Sequence, residues 1–151
     1  MVEHYDFIFV GRPGAAKETF SILREDYLKR LKRYVHVREH WVREQGVSKE
    51  YKDILGKSEE VDVLVVLDEK GKSLSSQKLA QRLESWRDEG RRRIAFVVGG
   101  ADGLSKELKA KATWVLSLSE LTLPHRLAHV VLLEQLYRAH TIIKGEPYHR
   151  E

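Results

Sequence analysis

From Val61 to Leu67 the chain reads Val-Asp-Val-Leu-Val-Val-Leu. A near-continuous β-branched run of this length needs apolar cover on both faces of a strand. Parallel sheets sandwiched between helices provide it. The same reading fits Tyr5 to Val10 and Ile94 to Val98, while Trp114 to Leu118 supplies a shorter strand. Val35 to Trp41 alternates apolar and polar residues, as in a strand covered on one face.

Helical patterns fill the intervals. Lys17 to Tyr34 carries Phe20, Leu23, Tyr27, Leu31 and Tyr34 at helical spacing, with a basic outer face. Gln45 to Glu60 is polar and predicts a short helix between loops. Ser75 or Ser76 is placed to cap a helix with core face Leu79, Leu83 and Trp86, ending near Gly90. Ser105 is placed to cap a short helix through Ala112. Pro124 opens a long helix, His125 to Ile143, and Gly145 stops it. Strands alternating with helices predict an α/β fold with a mostly parallel sheet, and no linker or repeat divides the 151 residues into more than one domain. Strand order is not readable from periodicity.

Composition narrows the class. The chain has no cysteine, so disulfides, Cys-based zinc sites and thiol nucleophiles are excluded. No segment resembles a signal peptide or a membrane span, and a cytoplasmic location is expected. The net charge of +4 favours an anionic partner, nucleic acid first.

Ligands of open α/β sheets bind beyond the carboxyl ends of the strands. Three segments occupy such places: Leu67 to Gly71, Gly99 to Gly103, and Leu118 to Pro124. Glycines after a strand let a ligand approach the backbone, although a Gly-Gly pair also makes an ordinary tight turn. Leu118-Ser119-Glu120-Leu121-Thr122-Leu123 keeps three leucines among polar residues. That composition suits an adenine ring, which wants an apolar slot and hydrogen bonds at its edge; it also suits a loop pinned to the core. Gly11-Arg12-Pro13-Gly14 lacks the spacing of a dinucleotide loop, and Gly71-Lys72-Ser73 lacks the first glycine of a phosphate loop. His125 and His129 stand four apart with no third ligand, so no metal site is expected and His129 reads as an ordinary helix residue. The chain ends on Tyr148-His149-Arg150-Glu151, which collects an aromatic, an imidazole, a guanidinium and a carboxylate.

These segments together, LDEKGKSLSS, FVVGGADGLS, LSLSELTLPH, LEQLYRA and the terminal PYHRE, resemble a bacterial family of large-subunit ribosomal RNA methyltransferases. That family methylates N3 of a pseudouridine in 23S rRNA and belongs to the SPOUT class. The likeness runs from about Val61 to Glu151. It departs from the family at Ala101-Asp102, where Pro-Glu or Pro-Tyr is usual.

The resemblance implies a trefoil knot in the C-terminal part and a homodimer. It implies S-adenosyl-L-methionine bound at Leu67, Gly99, Gly100 and the segment Leu118, Ser119, Glu120, Leu121, Thr122, Leu123. The tail of one subunit is expected at the cofactor of the other, acting on 23S rRNA in the assembled 70S ribosome. An imide N3–H must lose its proton before attack, so His149 or Glu151 is the expected acceptor. Arg150 is expected to stabilise the anion or hold a phosphate, Tyr148 to stack on the flipped base, and His125 to orient a substrate. The alternatives are a related methyltransferase with another RNA target, a silent ribosome-binding factor, and an unrelated nucleotide-binding domain.

Overall fold

The computed structural model describes residues 3–150. Five strands form one sheet: β1 (His4–Val10), β2 (His36–Val42), β3 (Val63–Ser73), β4 (Arg93–Val98) and β5 (Trp114–Ser117). Five helices alternate with them: α1 (Thr19–Leu31), α2 (Val47–Lys57), α3 (Ser76–Asp88), α4 (Lys106–Lys111) and α5 (His125–Lys144). Every pairing is parallel, in the order β2-β1-β4-β3-β5. The expected architecture is therefore present.

Alternation along β1 divides its side chains between two cores. Tyr5, Phe7 and Phe9 point to one face, where α1, α3 and α5 deliver Leu28, Leu31, Leu83, Trp86, Leu132 and Leu136. Ile8 and Val10 point to the other, with Ile54 of α2 and Leu108 of α4. Both faces are apolar, as the β-branched run requires.

The helix signals hold at atomic level. Ser75 Oγ accepts from Lys78 N, and Ser105 Oγ accepts from Leu108 N, both at 3.2 Å. Gly145 ends α5 at φ 70, with Glu146 N donating to Thr141 O and Gly145 N to Ile142 O. This paired arrangement closes the orphan carbonyls of the last turn, and glycine adopts it without a Cβ clash.

Two expectations need correction. β3 does not stop at Leu67. Leu116 pairs with both Leu67 and Lys72, so Asp68 to Gly71 bulges out and the chain returns beside β5. The return brings Gly71 against Val115, where a Cβ would lie 2.7 Å from the Val115 carbonyl oxygen, so only glycine allows the approach. The second correction concerns α1, which is shorter than Lys17 to Tyr34. Leu31 of the expected face is buried and Tyr27 and Tyr34 pack against the core, as do Ser21, Arg24 and Leu28, but Leu23 is 37% exposed and its neighbour Ile22 56%. The covered face of the helix is thus centred to one side of the spacing.

Candidate functional site

The carboxyl ends of β3, β4 and β5 enclose a cavity of about 450 Å³, a size that holds a small ligand. Leu67, Gly99, Gly100, Leu118, Ser119, Leu121, Thr122, Leu123 and His125, all singled out in the sequence, line it. Glu120 does not; it points to solvent. The sequence reading missed Lys109 of α4 and Ala128 of α5, which complete the wall. Their only sequence signal was their place one or two turns into helices that start beside the loops.

Local chemistry shapes each wall. Gly100 and Gly103 form an isolated bridge, with Gly103 N donating to Gly100 O at 3.1 Å. A Cβ on Gly99 would sit 2.8 Å from the Gly103 carbonyl oxygen, so the loop closes only over glycine. In the leucine segment, Ser117 Oγ donates to Ser119 O and Leu121 N donates to Ser119 Oγ. These local bonds satisfy polar groups while the leucines turn toward the cavity. Leu121 nevertheless remains 74% exposed at the mouth.

Charge gathers at one side. Lys109 Nζ lies 2.6 Å from Asp68, and Thr122 Oγ1 donates to Glu69. The Asp68 carboxyl is held below its ordinary value: burial opposes this, but the bonds from Lys109 and the Lys70 amide prevail. An apolar slot edged by backbone polar groups and two carboxylates fits an adenosine that carries a positive sulfonium.

The α5 side of the mouth is lined by His125. Its Nε2 lies 4.0 Å from the Cβ position of Gly11, and Glu44 Oε1 lies 3.7 Å from the same point. Glu44 also rests against Gly100. Sequence reading gave no hint of it, since it follows β2 in an unremarkable polar stretch. His129, one turn on, is buried and stacked on Phe9 with centroids 4.0 Å apart. Burial lowers its pKa to about 3, with help from His125, Arg24 and Arg126, so it stays neutral and serves the core. No cluster of potential metal ligands exists among the described residues.

The terminal tail lies elsewhere. Tyr148 Oη donates to Glu134 at 3.2 Å, its ring meets Tyr137 edge-on, and the Arg138 guanidinium lies 4.8 Å from its centroid. His149 Nδ1 sits 3.1 Å from Arg138 Nη1. Arg150 is exposed, and Glu151 lies outside the described residues. Burial and Glu134 push the Tyr148 phenol up to about 12, so it is a donor and not a proton acceptor at neutral pH. Glu134 and Arg138 follow Ala128 on α5 by six and ten residues, or roughly 9 and 15 Å along the axis at the helical rise. The structure thus brings His125 to the cavity but not Tyr148, His149 or Arg150 of the same chain.

Comparison with known proteins identifies the family. The model of a family described as "Predicted SPOUT methyltransferase" matches residues 4–149. The "Ribosomal RNA large subunit methyltransferase H" of Koribacter versatilis is 44% identical over 137 residues, 90% of this chain and 92% of that one. Among solved structures, a probable methylase family protein from Haemophilus influenzae superposes with a TM-score of 0.62 at 12% identity, covering all of this chain and 72% of that one. The SpoU methyltransferase AviRb from Streptomyces viridochromogenes, solved with AdoMet, gives 0.52 at 15% identity, covering 93% and 59%. The match across nearly the whole chain, together with the glycine and leucine loops around the cavity, places this protein in the SPOUT methyltransferase family.

Proposed function

We propose that the protein transfers a methyl group from S-adenosyl-L-methionine to N3 of a pseudouridine in 23S rRNA of the assembled 70S ribosome. We infer that it works as a homodimer whose knotted C-terminal part presents the tail of one subunit to the cavity of the other. The observation that carries the reading is the cavity at the ends of β3, β4 and β5, in a chain 44% identical to a large-subunit rRNA methyltransferase.

When bound, the cofactor supplies an electrophilic methyl group for a single displacement. The chain's own residues do the rest. Leu118, Leu121 and Leu123 exclude water from the slot, and the turn at Gly99 and Gly100 lets the ligand reach the backbone. Fixing the acceptor nitrogen in line with the methyl group replaces much of the entropy cost of a bimolecular step. Arg150 offsets the charge of the deprotonated imide, and His149 or Glu151 takes the N3 proton. Tyr148, held as a neutral phenol, offers an aromatic face to the base once it leaves Tyr137.

Dimerisation is supported by two neighbouring apolar residues of α1, Ile22 and Leu23, that are exposed on one chain. Labelled methyl transfer to ribosomes lacking this modification tests the function, with 70S particles, separated subunits and naked rRNA run in parallel. N3-methylpseudouridine formed on 70S particles is the expected product. No incorporation, with the cofactor still bound, would move the reading to another RNA or to a silent ribosome binder.

A further inference from the structure

Most arginines of this protein are already engaged. Arg24, Arg30, Arg38, Arg87, Arg91, Arg93, Arg126 and Arg138 lie within 4.0 Å of carboxylates, and Arg33 and Arg82 lie over aromatic rings. Among the described residues, the side chains of Arg12, Arg43, Arg92 and Arg150 have neither. Arg92 stands at the amino end of β4 and Arg150 in the tail. Arg12 and Arg43 leave the carboxyl ends of neighbouring strands, because Val10 pairs with Val42 and Gly11 N donates to Val42 O at 2.8 Å. Both are exposed. The strand ends that carry them border the cavity, since Gly11 faces His125 and Val10 touches the Cβ position of Gly100.

The loop carrying Arg12 is held from below. The Pro13 carbonyl accepts from Ser21 Oγ at 2.9 Å, from Arg24 Nη1 at 3.0 Å and from Arg126 Nη2 at 3.4 Å. Arg24 is only 5% exposed, and its Nε makes no hydrogen bond, with Glu39 4.0 Å away. Burying a guanidinium there is costly. Its visible work is to fix this loop, with Trp41 under its plane. Arg126 is anchored in turn by Glu18. The loop is therefore rigid where it meets the rim, and Arg12 is presented and not merely tethered. Glu44, next to Arg43 in the chain, faces Gly11 and Gly100 and makes no ion pair with either arginine among the described residues.

We propose that Arg12 and Arg43 form a clamp for consecutive phosphates of the rRNA strand, seating its backbone beside the cavity while the target base enters. Guanidinium groups suit this because they bind phosphate oxygens through two parallel hydrogen bonds. The clamp positions the strand and carries no sequence information. It rests on the proposed rRNA methyltransferase function and supplies that function with its RNA-backbone contact.

The test compares wild type with Arg12→Ala/Arg43→Ala, Arg12→Lys/Arg43→Lys and Arg92→Ala. Methyl transfer kinetics on unmodified ribosomes and equilibrium binding to ribosomes and to naked 23S rRNA are measured across a salt series, with cofactor affinity as the control. The double alanine variant is expected to raise KM about ten-fold and to flatten the logarithmic salt dependence of binding by about 1.5, from roughly 0.7–0.9 per phosphate. Cofactor affinity stays unchanged, the lysine variant recovers most of the loss, and Arg92→Ala behaves as wild type. An unchanged KM and salt slope, or equal loss with lysine and alanine, would overturn the clamp. Wild type that binds rRNA without methylating it would refute the proposed function, and the binding series would still decide the clamp.

Discussion

The cavity and the tail differ in how they are completed. The cavity closes within one chain: its floor is three strand ends, its walls are two short loops, and α4 and α5 finish it. The tail holds chemically able groups yet lies along α5 against Glu134, Tyr137 and Arg138. One region is a formed cavity that no tail residue lines. The other is a set of chemically able groups that lie away from it. Under the proposed function, the fold builds its cofactor slot locally and leaves the chemistry to a second copy, for which the exposed Ile22 and Leu23 of α1 offer a surface.

Changes in each region should therefore fail in different ways. The largest effect is expected from Gly99→Val. Its Cβ would meet the Gly103 carbonyl at 2.8 Å, so the loop must move. Transfer should fall by about 1,000-fold, or roughly 4 kcal/mol, with the loss visible as cofactor affinity in calorimetry. Retained affinity would mean that the glycine loop is not the slot. Arg150→Ala should lower kcat by about 100-fold and leave cofactor affinity within about two-fold. Unchanged kcat would remove the tail from the chemistry.

A third variant, Ile22→Asp with Leu23→Asp, should give a folded monomer by sedimentation that binds cofactor but transfers as poorly as the Arg150 variant. A fully active monomer would show that the tail works on its own chain. The last variant concerns stability and pH and leaves the site untouched. Burial lowers His129 to about 3 and His140 to about 4, below the ordinary 6.5. The unfolded chain takes up these protons first as pH falls. Stability should thus be flat above about pH 6.5 and decline below it, by about 1.4 kcal/mol per pH unit for each histidine, until the folded values are reached. Urea unfolding of His140→Gln should show a shallower slope; an identical slope would mean that His140 is accessible to protons in the folded state.

Much of this arrangement was legible in the residues. The β-branched run, the capping serines and the Pro124 and Gly145 signals express local preferences, which neighbours did not override. The glycine and leucine loops were readable because their composition departs from ordinary turns. What escaped depends on distant contacts. Strand order comes from helix packing, and the return of β3 depends on Gly71 meeting Val115. Leu23 looked like core because it shares the spacing of Tyr27 and Leu31, and spacing alone cannot place the edge of the covered face. Glu44, Arg24 and Lys109 reach the site region or its rim only through tertiary placement. The tail was legible as chemistry but not as position, since its place beside Glu134, Tyr137 and Arg138 is set by tertiary contacts.

Subunit complementation measures the central claim most directly. Gly99→Val and Arg150→Ala proteins are each assayed alone, then unfolded together, refolded as a mixture and assayed again. If the tail acts on the partner's cavity, each mixed dimer carries one wholly intact site, and about a quarter of wild-type transfer should return, from half the dimers with half their sites. If each tail serves its own cavity, every site keeps a lesion, and the mixture would stay as inactive as its parents.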